Sequence, residues 1–540
     1  MIVKNVNNIL SKLRNDHYLL TIVSISSIFF ILFSLYSILA FNLVEMSAWD
    51  MGVYMQALAS GTTGHLFYSA LIPGSYLAEH FSPVLFILVI PYYLFPSAYT
   101  LIILQSLAIA FSTLVLYLLS RQILCNVHIW PNNKFINPST ISLVISIAYI
   151  MSPLTESPIF FDFHLMVFLP LFFFLALYSF ITKRYVLNII FLGLIVSLHS
   201  AFISIAFTTI ILEIFLNRTL HLSSRNSVVK DAAYVTISFL ILGSYFVLAG
   251  ILKADIAGIS LVAIPKIHVS GSVGPISIFI DLFKTPLVVL NLLTANYMLK
   301  LTLLFFAFGG FAFLFIRYPV TILTFVPYLL YSMFSRYGSY YAIGYQYPMM
   351  FIPMVAFSSI MGIYVLASKQ KRIKFGKTQL YAALAIIIAV AIVGFSIATP
   401  IVSGYSFNNS LSDSISQHNN TQYMQQVQFE HKIARSIGKN ASVVTENNLF
   451  PLFGNDPNAT AFPFTTDVVI KGCYYQFLVD NQKSMWSNET ANFQNTNMSL
   501  NMLEHQYIQS GKYGIYAQGY GIIVLEKGYT GSPKFTGQII

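Results

Sequence analysis

Apolar residues fill the chain from Tyr18 to about residue 399 in runs long enough to cross a bilayer, and a tail of polar residues with short alternating stretches follows. Tyr18 to Phe41, Ala232 to Leu252 and Leu380 to Thr399 carry almost no charge, and as helices each covers roughly 30 Å of hydrocarbon. About eleven to thirteen such segments are expected, transmembrane or re-entrant. The count stays open at two places. Residues 81–95 and 98–120 meet at the Pro96-Ser97 turn, one of them shallow or re-entrant, and Tyr185 to Leu216 reads as one long helix or two joined around His199. In the tail, the pattern predicts an amphipathic helix over 423–438, strands at Ala441 to Val444, Asp467 to Ile470 and Tyr474 to Val479, and a loop over 481–500. A hairpin is predicted from Gly514 to Ala517 and from Gly521 to Glu526. The expected fold is an all-α polytopic membrane bundle over 1–400, with outer loops near 42–80, 154–164, 253–275 and 336–346, followed by a soluble α/β or α+β domain over 401–540.

Composition agrees: 56% of residues are hydrophobic and 9% charged, against about 25% charged in a soluble domain. The net charge of +10 does not point to nucleic acid, because the tail is nearly balanced and the excess lies in the membrane half, in short loops and at helix ends. Cys125 and Cys473 form no disulfide scaffold or metal-ligand spacing. Lys4, Lys12 and Arg14 precede the first apolar run, which is too long for a signal peptide and reads as a retained helix with a cytoplasmic N-terminus. Lys183-Arg184 and the basic cluster at 369–374 mark the same inner face, so the tail is expected outside the cell membrane. Six glycosylation acceptors in the tail, Asn408, Asn419, Asn440, Asn458, Asn488 and Asn497, agree with that side, although an Asn-rich tail also generates them by chance.

Ionisable groups beside an apolar layer are costly and need a reason. Asp50 follows Trp49 and precedes Gly52 in the first outer loop, where a carboxylate would serve as a general base or hold a cation; helix capping is the plain alternative. Glu79-His80 close that loop, and Asp162-Phe163-His164, preceded by Glu156, recur on the same predicted face. Asp50, Asp162 and His164 are candidate ligands for a divalent cation such as Mg or Mn; an ion-paired loop anchor is the rival reading. Arg336, with Tyr337 and Tyr341, offers phosphate and sugar contacts, while a membrane-interface tyrosine belt gives the same composition. Lys266 and His268 form a weaker phosphate candidate, and His199 reads as a buried hydrogen-bonding residue or a proton-path element. There is no Walker phosphate loop, zincin helix or nucleophile elbow, and neither nucleotide nor haem is expected.

The run Asp50-Met51-Gly52-Val53-Tyr54-Met55-Gln56, then His80-Phe81-Ser82-Pro83, Leu104-Gln105, Phe161-Asp162-Phe163-His164 with Pro170, and Arg336-Tyr337 resemble a family of polytopic prokaryotic membrane proteins known as domain of unknown function 2079. Asn447-Asn448-Leu449-Phe450-Pro451, Phe462-Pro463 and Tyr474 to Asp480 carry the resemblance into the tail. That family is similar to the integral-membrane glycosyltransferases of the GT-C class. The resemblance implies transfer of a sugar from a polyprenyl-phosphate donor to an extracytoplasmic glycan, lipid or protein acceptor. It places Asp50 at the acceptor or metal side and matches a second acidic position to Asp162 or Glu156; in an inverting transfer His80 or His164 would assist positioning. A flippase or transporter for envelope precursors and a cell-envelope binding protein are the alternatives.

Overall fold

The computed structural model describes residues 16–72, 74–127, 137–222, 228–257, 284, 286–368, 375–397, 411–439, 441–462, 476–482, 491–493 and 496–538. The N-terminal basic residues, Lys266, His268, the 369–374 cluster, the predicted strand at 467–470 and the acceptors Asn408, Asn440 and Asn488 lie outside them.

Helix α1 (His17–Asn42) starts where Asp16 accepts a hydrogen bond from Leu19 N at 3.1 Å, satisfying one of the free donors of a helix N-terminus. The segment after α1 then contains α2 (Val53–Thr62), the two-residue strands β1 (Tyr68–Ser69) and β2 (Gly74–Ser75), and a single helical turn at Tyr76–Glu79. Two more helices follow, α3 (Leu85–Leu94) and α4 (Ala98–Leu124). Asp16 pairs with Arg121 at one end of α1 and α4, and Tyr99 Oη donates to Asn42 Oδ1 at 2.6 Å at the other, so these two helices are antiparallel. Helix α3 joins them at the Asn42 end. Its ten residues, with Pro91 inside, reach about 15 Å, half a bilayer, which accounts for the shallow element expected before Pro96.

Helices α5 (Pro138–Ile150) and α6 (Pro153–Phe161) form a pair bent by 56°. The predicted outer loop at 154–164 is therefore corrected: most of it is helix, because Ser152 caps α6 by accepting from Leu154 N and Pro153 suits a first helical position. The span around His199 is two helices, α7 (Leu169–Ile181) being followed by α8 (Tyr185–Leu198) and α9 (Ile203–Thr219), with His199 extended at the break. Helix α10 (Val228–Ala257) continues the bundle, and α11 (Pro286–Thr294) and α12 (Tyr297–Phe308) form a second bent pair, here by 69°. Helices α13 (Ile322–Met333), α14 (Ile352–Ser368) and α15 (Phe375–Ile397) complete it. By length and apolarity six helices among the described residues can cross a membrane, or eight with each bent pair as one span, and four shorter apolar helices accompany them.

The tail adds α16 (Leu411–Asn419), α17 (Thr421–Ser436) and α18 (Leu500–Gln509). Its strands β3 (Val443–Thr445), β4 (Ala459–Ala461), β5 (Phe477–Asn481), β8 (Tyr513–Gly519), β9 (Ile522–Lys527) and β10 (Phe535–Thr536) form a mixed sheet in the order β10-β8-β9-β5-β3-β4. Residues 481–500 were expected to be a loop; β6 (Ala491–Phe493) and β7 (Thr496–Met498) make a small hairpin there. Side chains alternate across the sheet. Val443, Phe477, Val479 and Val524 join the large core that runs into the bundle, whereas Val444, Leu478 and Leu525 pack with Leu500, Leu503 and Tyr507 of α18 in a separate core.

The tail is fastened to the bundle through specific bonds. Tyr423 Oη donates to Leu43 O at 2.8 Å, His431 Nε2 lies 2.9 Å from Asn42 O, and Ala48 N donates to the Asn447 carbonyl at 2.8 Å. Gln56 is completely buried; its Nε2 donates to Asp456 O (2.7 Å) and Ala459 O (2.9 Å), and its Oε1 accepts from Ser69 Oγ and Ala70 N. One side chain thus ties the segment after α1 to itself and to the tail.

Candidate functional site

The segment from Ser47 to Gln56 divides its residues between two faces. Gly52 meets the tail: a Cβ there would lie 2.4 Å from the Phe450 ring, so only glycine admits that contact. Asp50 and Tyr54, one helical turn apart, serve the other face. Asp50 stands in a π-helical turn, Ala48–Gly52, a wide turn that recurs at functional sites. Its side chain is 11% exposed, and among the described residues no donor lies within hydrogen-bond distance of its carboxylate.

Facing it, His164 Nε2 lies 3.9 Å from Asp50 Oδ1. The extended backbone at 162–164 turns the imidazole so that Nδ1 accepts from Met166 N at 3.2 Å, which leaves the proton of the neutral ring on Nε2, pointing toward Asp50 and Tyr54. Tyr54 Oη and Tyr76 Oη are 2.6 Å apart, and the Tyr76 ring packs edgewise on His80. His80 in turn lies over His199 with ring centroids 4.4 Å apart, and Ala201 N fixes His199 by donating to its Nδ1 at 3.0 Å. Lys253 of α10 reaches the same edge and donates to Glu79 O at 2.7 Å.

Asp162 is handled differently. Its Oδ2 accepts from both Ser47 N (3.1 Å) and Ser47 Oγ, it is 1% exposed, and it feels the charge of Asp50. Burial raises its carboxyl well above the ordinary range, the Asp50 charge adds to this, and the Ser47 bonds only partly oppose it. Asp162 is accordingly displaced toward its protonated form. Burial alone pushes Asp50 up to about 7, so it exchanges its proton near neutrality. Burial, and then the neighbouring His80, lower His164 to about 3. His80 is lowered by burial, with Glu79 opposing and Lys253 adding, and His199 is lowered by burial, His80, His164 and Lys253. All three imidazoles are therefore neutral hydrogen-bonding groups.

Of the predicted site residues, Asp50, His80, Asp162 and His164 come together. Glu79 is exposed at the rim. Arg336 and Tyr337 are exposed on the later loop, which comes within electrostatic reach of Asp50 through Tyr347. Tyr341 is wholly buried, accepts from Asn296 Nδ2 at 2.7 Å and lies under Lys300, so it braces α12. The expected cation-ligating trio of Asp50, Asp162 and His164 is not assembled; among the described residues no group of three or more His, Cys, Asp or Glu side chains gathers to hold a metal. Tyr54, Tyr76 and Lys253 were not anticipated. Tyr54 was findable from its spacing of four after Asp50, whereas Tyr76 and Lys253 join only through tertiary contacts.

The match to a known family covers most of these residues. The chain belongs to the DUF2079 family of predicted membrane proteins. That family's model matches residues 40–524, taking in the Asp50 turn, the His80 and His164 segments and most of the tail. No curated protein matches the chain. Two solved structures, of ArnT from Cupriavidus metallidurans bound to undecaprenyl phosphate and of the same protein in the apo state, are each 11% identical to this DUF2079 chain. In both cases the match covers 92% of this chain and 97% of the other, with a TM-score of 0.45.

Proposed function

We propose that this DUF2079 protein is a glycosyltransferase of the GT-C type, which moves a sugar from a polyprenyl-phosphate donor to an acceptor hydroxyl on the extracytoplasmic side. The observation that carries the reading is Asp50: a carboxylate beside the membrane helices, open to solvent only through a narrow face, unbonded by any described donor, and held by burial at about 7. A general base is most useful when its affinity for protons lies near the working pH, and a carboxylate without hydrogen-bond donors keeps its lone pairs for the substrate.

In this reading the ionised Asp50 takes the proton of the acceptor hydroxyl as that oxygen attacks the anomeric carbon from the face opposite the phosphate. The new glycosidic bond forms, the bond between the anomeric carbon and phosphate oxygen breaks, and the polyprenyl phosphate leaves with the electron pair. His164 holds its Nε2–H toward Asp50 and the incoming hydroxyl. On the donor side Lys253, which uses a single N–H on Glu79 O, and the neutral pair His80 and His199 supply donors for the phosphate. The donor's hydrocarbon stays in the bilayer. No step is routed through a metal.

The test is incubation of the purified protein and its Asp50→Asn variant with a panel of polyprenyl-phosphate sugars and envelope acceptors, with and without Mg or Mn. Acceptor glycosylation by the parent and none by the variant supports the reading. Passage of the intact donor across vesicles, with no glycosidic transfer in any combination, selects a flippase instead.

A further inference from the structure

A large cavity lies away from Asp50, on the other side of α2. Its volume is about 1180 Å³, and it is walled by α17 and the turn after it, by residues 451–456 of the tail, and by Met55 and Ala59 of α2. Tyr54 faces His164 from the same helix, so α2 separates the two spaces.

The floor of this groove is made by the ends of two membrane-length helices, the last turn of α1 (Leu39 to Leu43) and the start of α4 (Pro96 to Tyr99). Its level is therefore that of the bilayer surface. The floor continues directly into the end of α3, where Tyr93, Leu94 and Phe95 are each more than 60% exposed, an apolar and aromatic edge of the kind that sits among lipid headgroups and upper acyl chains. A molecule moving in the bilayer plane reaches the groove over that edge.

The roof has the opposite character. Lys432, Arg435 and Lys439 project from α17 and the following turn, all three exposed, against one carboxylate, Asp456, among the described lining residues. Lys432 also covers the Phe535 ring at 4.7 Å, while neither Arg435 nor Lys439 makes an ion pair among the described residues. An apolar floor at membrane level beneath a cationic roof matches one chemistry, an anionic headgroup on hydrocarbon chains.

We infer that the groove between α17 and the outer ends of α1 and α4 binds an anionic membrane lipid, its phosphate under Arg435 and Lys439 and its chains along α3. The lipid ties the tail to the bilayer, adding to the protein's own fastening at Leu43 and Asn42. This inference does not depend on the reaction assigned to Asp50.

Native mass spectrometry of the full chain in detergent, titrated with dioleoylphosphatidylglycerol or dioleoylphosphatidylcholine, tests it. The parent should retain the phosphatidylglycerol preferentially. The double variant Arg435→Glu, Lys439→Glu should weaken that retention at least about thirtyfold, since each basic residue near an anionic lipid surface contributes about 1 kcal/mol. Lys512→Glu, a charge reversal at an exposed lysine outside the groove, should leave it unchanged. Thermal unfolding of each variant without added lipid, matching the parent, establishes that the fold is intact. Equal retention of the two lipids by the parent, or equal losses in the double variant and in Lys512→Glu, would overturn the inference.

Discussion

Asp50 and Asp162 are two aspartates close enough to feel each other's charge, both taken out of water, yet the fold treats them in opposite ways. Asp162 is given two donors from Ser47 and almost no solvent; Asp50 has no described donor and a narrow opening. A buried carboxyl with bonds to its oxygen is a structural clasp, here joining the segment after α6 to the one after α1. A buried carboxyl left unbonded costs stability and is retained for reactivity. Burial raises both carboxyls, Asp50 to about 7, where it loses and regains a proton, and Asp162 well above the ordinary range with the Asp50 charge adding to the effect.

The largest effect expected from this contrast is on transfer. Asp50→Asn removes the base without changing shape and should lower turnover by about 10²- to 10⁴-fold. Asp162→Asn, whose amide oxygen can still accept from Ser47, should lower it by less than about tenfold. Parallel assays with whichever polyprenyl-phosphate sugar of the panel the parent uses check both values. Equal losses in the two variants would abolish the distinction between clasp and base.

A second prediction leaves both carboxylates intact. Gln56→Leu removes one of the two donors to the Asp456 carbonyl, which keeps Ala459 N, and takes the Gln56 partner from the Ala459 carbonyl and from the donors of Ser69 and Ala70, at about 1–3 kcal/mol for each group left unpaired that water does not recover. The expected outcome is a lower unfolding temperature and faster proteolysis of the tail. Turnover should fall with it, because α2 positions the Asp50 turn. If the tail is released and turnover is unchanged, Asp50 is held by the bundle alone.

The sequence made one half of this contrast legible. Asp50, His80, Asp162 and His164 stood out as ionisable groups at the ends of apolar runs, and the division at about residue 400, the tail helix and its hairpin followed from hydrophobic period. Their unequal roles were hidden, since Ser47 reaches Asp162 only through a tertiary contact across 115 positions and Met166 N orients His164 through local backbone geometry that no pattern displays. In the run from Asp50 to Gln56, Gly52 and Gln56 fasten the tail through Phe450, Asp456 and Ala459, some four hundred positions away. Tyr341 was open for a related reason: an aromatic in a Tyr-rich loop is equally suited to a ligand or to packing, and its contacts with Asn296 and Lys300 come only from the tertiary fold.

A third, smaller effect separates clasp from cavity. Asp162→Ala leaves the Ser47 hydroxyl and N–H without their acceptor and should cost about 1–3 kcal/mol, while Asp162→Asn should cost less than half of that. Thermal unfolding in detergent compares the two. Asp50→Ala breaks no described hydrogen bond and should destabilise less than Asp162→Ala.

The smallest expected effect is the pH dependence of stability, and its sign follows from linkage. An unfolded aspartate loses its proton near 3.8, whereas native Asp50 keeps it to about 7. Between those values the native state binds more protons than the unfolded chain, so the Asp50 contribution to stability is complete below about pH 4, falls as pH rises and levels off above about 7, with a slope of at most about 1.4 kcal/mol per pH unit. Asp162, also raised, contributes a slope of the same sign, and Glu430 in the tail, raised by burial to about 7, another. His80, His164 and His199, lowered in the native state, oppose them below about pH 6.5. The parent's profile mixes all of these, so the informative quantity is a difference between proteins. Asp50→Asn minus parent should grow with pH up to about 7 and then stay constant, and Asp162→Asn minus parent should also grow as pH rises above the ordinary carboxylate range. Unfolding temperatures measured from pH 4.5 to 9 read both curves. A plateau at the same pH for both variants would show that the two carboxyls titrate as one unit and that the clasp is part of the base.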